Sequence, residues 1–373
     1  MTAPLKHDLQ SVGAAFALPG RFISACPYGS GHINDTYAAV YEHGGAHVRY
    51  LHQRINHVVF SDPVALMENI QRVTAHQARK LQAAGYGDLE RRALTTLPER
   101  DGLPYHRDAE GNTWRTYLFI EGARTYDSIQ SAAQARQVAR AFGQFQGQLA
   151  DLPGPRLHET IPHFHDTPQR MKTFLEALQA DPLNRARLAG REIEFIAARA
   201  SWVGRLIEKQ AQGLIPERIT HNDTKLNNVM LDDATQEGIC VIDLDTVMPG
   251  LALYDFGDMV RTATSPRPED ERELSLIKMQ IQMFQALVEG YLSSTHHILT
   301  PTERDHLAFS GKLITLEIGL RFLTDFLQGD AYFKIKREGH NLDRCRSQLR
   351  LVESIEEHED AMNEVVRAWA PGC

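Results

Sequence analysis

This sequence predicts an α+β fold in two lobes, a small antiparallel sheet lobe over residues 1–121 and a larger, mostly helical lobe over 122–373. Three observations lead there. Short strand-like runs bounded by Gly, Asp or Asn fill the first third, helical apolar stripes fill the rest, and 373 residues exceed the size at which one core usually stops growing.

In the first lobe, residues 21–26, 36–41, 47–53 and 114–120 read as strands of one antiparallel sheet. Residues 63–84 interrupt them with Val64, Met67, Ile70, Val73 and Leu81 at helical spacing, so one helix should sit on that sheet. Past Glu121-Gly122 a helix carries Val138, Ala141, Phe142, Phe145 and Leu149 as one stripe. Further helices are expected near 189–211, 270–293, 303–327 and 345–368. Residues 216–245 instead read as strand, loop, strand, turn, strand.

Composition excludes several function classes. A net charge of -8 and a pI near 6.1 argue against nucleic-acid binding, which needs a basic surface. Cys26, Cys240, Cys345 and Cys373 form no C-x-x-C pair, so neither zinc site nor disulfide framework is expected. No apolar run reaches signal-peptide or membrane-span length, and a reducing cytoplasm is the expected location.

Residues 220–228 read Thr-His-Asn-Asp-Thr-Lys-Leu-Asn-Asn between two apolar edges. His221, Asp223 and Asn228 have the H-x-D-x-x-x-x-N spacing of kinase catalytic loops. In such loops an Asp faces the substrate hydroxyl, and an Asn five residues on offers a neutral carbonyl to Mg²⁺ that already carries phosphate oxygens. An apolar run then delivers Asp243, with Asp245 two residues later, and the turn formers at 232–238 let a hairpin bring Asn228 and Asp243 together. Asn228, Asp243 and, less directly, Asp245 are the metal candidates. Lys225 is placed to neutralise charge on a transferred phosphoryl group. His221 is read as a loop-orienting residue with no chemistry of its own.

Nearer the start, Tyr28-Gly29-Ser30-Gly31-His32-Ile33-Asn34 joins two strands. Gly29, Ser30 and Gly31 would let backbone N–H groups approach the phosphates of ATP. The strand lysine that such sites usually supply is missing. The corresponding strand offers Arg49, His52, Gln53 or Arg54 instead, of which Gln53 is assigned to the nucleotide, and Glu68 is a possible partner on the next helix.

The loop, Asp243 and the sheet lobe together resemble the aminoglycoside phosphotransferase family, whose fold is the two-lobed protein-kinase-like fold. Over about residues 13–365 the similarity is closer to bacterial N-acetylhexosamine 1-kinases. Blocks that carry it are the 28–34 turn, His163-Phe164-His165-Asp166-Thr167-Pro168, Ile242-Asp243-Leu244-Asp245-Thr246, Met248-Pro249-Gly250, Asp255-Phe256-Gly257-Asp258, Arg321-Phe322-Leu323, Gly329-Asp330 and Tyr332-Phe333. The resemblance implies transfer of the ATP γ-phosphate to the anomeric hydroxyl of N-acetylglucosamine or N-acetylgalactosamine. It also implies that His32, Arg321 and Tyr332, with Asp223, grip the sugar. Asp255 lies too far from the hairpin to be a metal-binding D-F-G aspartate and is read as a support of the catalytic-loop backbone. The same loop suits a kinase of another sugar, an amino alcohol or an aminoglycoside, and the missing lysine motivates a non-catalytic binding module as a third reading.

Overall fold

A computed structural model describes residues 5–29, 31 and 33–370. Asp8 opens α1 (Leu9–Ala15) by accepting the Ser11 N–H. Strands β1 (Arg21–Pro27), β2 (Asp35–His43) and β3 (Ala46–Ile55) follow as an antiparallel meander. Helix α2 (Pro63–Ala83), capped by Asp62, and the single turn α3 (Leu89–Arg92) precede β4 (Thr96–Leu97), β5 (His106–Arg107) and β6 (Thr113–Leu118). The sheet order is β1-β2-β3-β6-β4, with β5 also paired to β6.

Strand alternation gives this sheet two different faces. Leu9 and Val12 of α1, with Phe16 just past its end, cover Tyr37 and Trp114 on one. Thr36, Gln53 and Arg115 are direct cross-strand neighbours, so they share the opposite face with Tyr117, whose ring joins the main core.

The chain then runs through β7 (Ala123–Arg124), α4 (Ala132–Leu149), α5 (Thr167–Ala180), α6 (Gly190–Ala197), α7 (Arg205–Ala211) and β8 (Arg218–Thr220). It continues through β9 (Val229–Asp232), β10 (Gly238–Val241), β11 (Met248–Gly250), α8 (Ala252–Ala263), α9 (Ile281–Thr295), α10 (Pro301–Asp305), α11 (Leu307–Gln328), α12 (His340–Glu357) and α13 (Glu359–Ala368). The expected stripe of α4 is buried, and α8 lies against α11. Gly257 makes that approach possible, because a Cβ there would stand 2.5 Å from the Ser310 carbonyl oxygen. Its role in the D-F-G-D run is helix packing. Among the described residues no helix is long and apolar enough to cross a membrane.

Several boundaries differ from expectation. The 189–211 helix breaks into two, since beyond Ala189 only Ile196 and Leu206 are buried and no continuous stripe holds residues 198–204 α-helical. Residues 270–280 are not α-helical: the Met279 N–H donates to the Ser354 hydroxyl and the Gln280 N–H to the Thr264 carbonyl, which ties that backbone to other elements. Breaks at His306 and His358 split the last two expected helices, and α12 begins five residues early. Sequence reading misses α1, α5 and α8. The last is buried nearly all round, its Asp255 and Asp258 included.

Candidate active site

The loop that carries Asp223 starts from a fixed edge, because β8 pairs with β11 so that Thr220 faces Met248. The backbone then turns at Asn222, whose φ is 64°. Asp255, in the first turn of α8, accepts the N–H groups of His221 at 2.9 Å and Asn222 at 2.7 Å, and the Thr224 hydroxyl donates to its carbonyl. Asp255 therefore holds the loop backbone, as its sequence context suggests. His221 is buried beside Phe142 and Phe145, its Nε2 donating to the Ile242 carbonyl and its Nδ1 accepting the Asp223 N–H. Both nitrogens are occupied, which makes it an orienting residue.

Asp223, Lys225, Asn228 and Asp243 come together. Lys225 Nζ lies 2.9 Å from Asp223 Oδ2, and Asn228 Nδ2 donates to the same oxygen at 3.1 Å and to the Asp223 carbonyl at 2.8 Å. Among the described residues no donor meets Asp223 Oδ1. With its nitrogen engaged, Asn228 presents its amide oxygen. The Ile242 N–H donates to the Asn228 carbonyl, which sets Asp243 beside it, at a left-handed φ of 59°. Backbone strain of this kind costs on the order of 1–3 kcal/mol and collects at functional sites.

The two carboxyls are tuned apart. Burial alone would raise Asp223, but the charge and hydrogen bond of Lys225, helped by Arg261, hold it below the usual carboxylate range. Asp243 is pushed up to about 7, by burial first and then by the charges of Asp245 and Asp223. Lys225 and Arg115 offset those charges only in part, a setting that suits a bound divalent ion.

Asp245 is engaged differently from the metal expectation. Its Oδ2 accepts Asn34 Nδ2 at 2.6 Å, and Oδ1 lies 2.5 Å from Arg115 Nη1, a close ionic contact at angles poor for a hydrogen bond. Both oxygens face donors of the sheet lobe. Arg115 is 1% exposed, and removing one partner of a buried pair like this costs about 3–5 kcal/mol. Gln53 is likewise engaged, donating to the Thr36 hydroxyl and accepting Arg115 Nε and Nη2 at 2.8 and 2.5 Å. The other strand candidates also have partners. Arg49 pairs with Glu121 and lies over Phe119, His52 is buried between Tyr41 and Thr116, Arg54 pairs with Asp35, and Glu68 meets His158. Gly29 has a φ of 81° and open space around it and around Gly31, which leaves the turn's backbone approachable. Ser30 and His32 lie outside the described residues.

A second cluster adjoins the loop from the side of α11. His165 places both ring nitrogens on acceptors, Nδ1 on Glu317 Oε1 at 2.8 Å and Nε2 on the Asn222 carbonyl at 2.9 Å, so both donate and the ring is charged. Arg321 follows Glu317 by one helical turn and lies over Phe164, Tyr332 and Phe333, with ring centroids 5.3, 6.0 and 5.6 Å from its Cζ. Asp325 fixes the far side of this box by accepting the N–H groups of Tyr332 and Phe333, leaving Tyr332 59% exposed. Arg170 joins them, its pKa lowered by burial and by the Arg321 charge. Arg115, Arg170 and the His165–Glu317 pair are the residues of this region that sequence reading did not single out.

The buried pair should leave a pH signature. Burial would lower His165, but Glu317 outweighs it and holds His165 above its ordinary 6.5; burial would raise Glu317, but His165 and Thr167 hold it below 4.5. The His165 contribution is complete below 6.5 and is lost as pH rises through the raised value. The Glu317 contribution is complete above 4.5 and is lost as pH falls through the depressed value. The stability difference between wild type and Glu317→Gln in urea melts is therefore expected to peak at about pH 5.5 and to shrink on either side. A difference independent of pH would contradict the charged pair.

A sequence model described as the phosphotransferase enzyme family, APH, matches residues 24–280. The chain belongs to that family. This phosphotransferase is similar over its whole length to a solved aminoglycoside phosphotransferase from Alicyclobacillus acidocaldarius, with 12% identity, 99% of this chain and 98% of that one covered, and a TM-score of 0.64. It also resembles a microcompartment-associated aminopropanol kinase, at 15% identity, 95% and 98% coverage and a TM-score of 0.61. A third similar structure is the ADP-bound aminoglycoside phosphotransferase APH(2'')-Ib, at 13% identity, 90% and 95% coverage and a TM-score of 0.50. At these identities the likeness establishes the kinase-like fold, a mixed α and β architecture with an antiparallel sheet and a helical region.

Proposed function

We propose that this phosphotransferase moves the γ-phosphate of ATP to the anomeric hydroxyl of an N-acetylhexosamine, N-acetylglucosamine or N-acetylgalactosamine. The observation that carries the reading is Asp223, with Oδ1 open, held beside Asn228 in a loop whose backbone the His165–Glu317 pair, one helical turn from Arg321 and its aromatic rings, also grips.

Asp223 accepts the hydroxyl and aims it at the phosphate, with Oδ2 fixed by Lys225 and Asn228. An anomeric hydroxyl is more acidic than an ordinary alcohol, and phosphoryl transfer is loose, so orientation matters more than proton abstraction. Lys225 offsets charge on the moving group. The Asn228 amide oxygen and the Asp243 carboxylate are hard oxygen donors that fit Mg²⁺. Among the described residues no three His, Cys, Asp or Glu gather as a metal cage, so phosphate oxygens and water would complete its shell. When bound, the ion neutralises phosphate charge.

The acceptor cluster supports a neutral, hydroxyl-rich substrate over an amine. Arg170 and Arg321 already repel each other, and a substrate ammonium would add a third positive charge. The aromatic faces suit a sugar ring, and the guanidinium donors suit its hydroxyl and acetamido oxygens. Two of the solved neighbours are named for aminoglycoside and aminopropanol substrates, so the amine reading is the one to test against. ADP release should be measured with Mg²⁺-ATP across free sugars, amino alcohols and aminoglycosides. Turnover of a free N-acetylhexosamine with little from the amines is expected. Robust turnover of an amine, with none of either sugar, would overturn the proposal.

A further inference from the structure

The position of Gln53 raises a question of charge. The strand that usually supplies a lysine to the nucleotide carries here, at position 53, a neutral amide whose oxygen receives two nitrogens of Arg115 from the neighbouring strand. Thr36, Gln53 and Arg115 stand in register across β2, β3 and β6, linked side chain to side chain. The row ends on Asp245, which follows Asp243 by two residues in the hairpin of the other lobe. From the turn before β2, Asn34 grips the second oxygen of Asp245, and its own Oδ1 accepts the Asn56 N–H. Asp245 is thus held at both oxygens by the lobe that covers the nucleotide. The arginines of β3 face other partners, Glu121 and Asp35.

We propose that Arg115 is a positioning residue that locks Asp245, and through it the metal-binding hairpin, to the sheet lobe, replacing the strand lysine with an arginine carried on β6 and braced by Gln53. A guanidinium is well shaped for this, because its Nε and Nη2 meet Gln53 along one edge while Nη1 still reaches the carboxylate, which a single ammonium does not do. Lobe position and Asp243 geometry are thereby coupled. The inference rests on the reading that Asp243 binds a metal–nucleotide complex, and it predicts that Arg115 acts on affinity for the metal-bound nucleotide through Asp245.

The test is calorimetric titration of ADP, with Mg²⁺ and with EDTA, into wild type, Arg115→Gln, Asp245→Asn and the double variant. Each single variant is expected to weaken Mg²⁺-ADP binding about tenfold or more and metal-free ADP less than about threefold, with the double no weaker than the worse single, as for residues acting along one path. Additive losses, equal losses with and without metal, or unchanged Mg²⁺-ADP affinity in Arg115→Gln would each overturn it. Gln53→Leu keeps the ion pair and removes its brace, so it carries the test if Arg115→Gln does not fold: a selective loss of Mg²⁺-ADP affinity supports the proposal, and no loss overturns it. Wild-type protein whose ADP binding gains nothing from Mg²⁺ would overturn the nucleotide reading itself, and this inference with it.

Discussion

Asp223→Asn is expected to lower turnover by about two to four orders of magnitude while leaving the melting temperature and nucleotide affinity nearly unchanged. The amide can still accept a hydrogen bond, but it carries no charge to favour a developing alkoxide. The fold should not notice, because the loop backbone is held by Asp255 and His221 rather than by Asp223. Lys225 and Asn228 lose a charged partner, at a site where the Asp223 and Lys225 side chains remain 26% and 41% exposed. Steady-state kinetics beside ADP titration separates the two effects. Turnover within a factor of a few of wild type would remove Asp223 from the mechanism.

Asp243→Ala is expected to fail earlier, by abolishing the Mg²⁺-dependent part of nucleotide binding. A single hard carboxylate beside the Asn228 oxygen is what the hairpin offers a divalent ion, and without it the phosphate charge is poorly neutralised. Alanine is also strained at φ 59°, so Asp243→Asn, which tolerates that conformation, separates lost charge from lost shape. Both variants should lose Mg²⁺-linked ADP affinity in calorimetry. Unchanged affinity in the asparagine variant would contradict the metal assignment.

Much of this site was legible because its chemistry is local in sequence. The spacing of His221, Asp223 and Asn228 and the turn-rich approach to Asp243 are set within one strand–loop–hairpin unit, and the structure builds that unit. Short runs bounded by Gly, Asp or Asn likewise placed the early sheet, and helical periodicity placed α2 and α4. What failed was non-local. Arg115 sits in a short strand among Trp114, Thr116 and Tyr117, and only its cross-strand pairing with Gln53 and its contact with Asp245 give it meaning. A charged residue amid the aromatic and β-branched residues of a strand was the available signal, since a buried charge needs a partner. Asp245, two residues after Asp243, would share its face if the strand continued, but a short 3₁₀ turn follows Asp243 and turns Asp245 toward the sheet lobe. Arg170 is invisible for the same reason, since its neighbour Arg321 is 151 positions away in the chain.

In the proposed reaction the hydroxyl presented to Asp223 is the anomeric one. Product analysis by phosphorus and proton NMR, with free N-acetylglucosamine or N-acetylgalactosamine and with their 1-O-methyl glycosides as acceptors, tests it directly. The methyl glycosides keep the ring and the acetamido group but lack the reacting hydroxyl. A 1-phosphate is expected from at least one of the free sugars, and no phosphorylated product from either glycoside. Phosphate on a methyl glycoside would place the reacting hydroxyl elsewhere on the ring and contradict the claim.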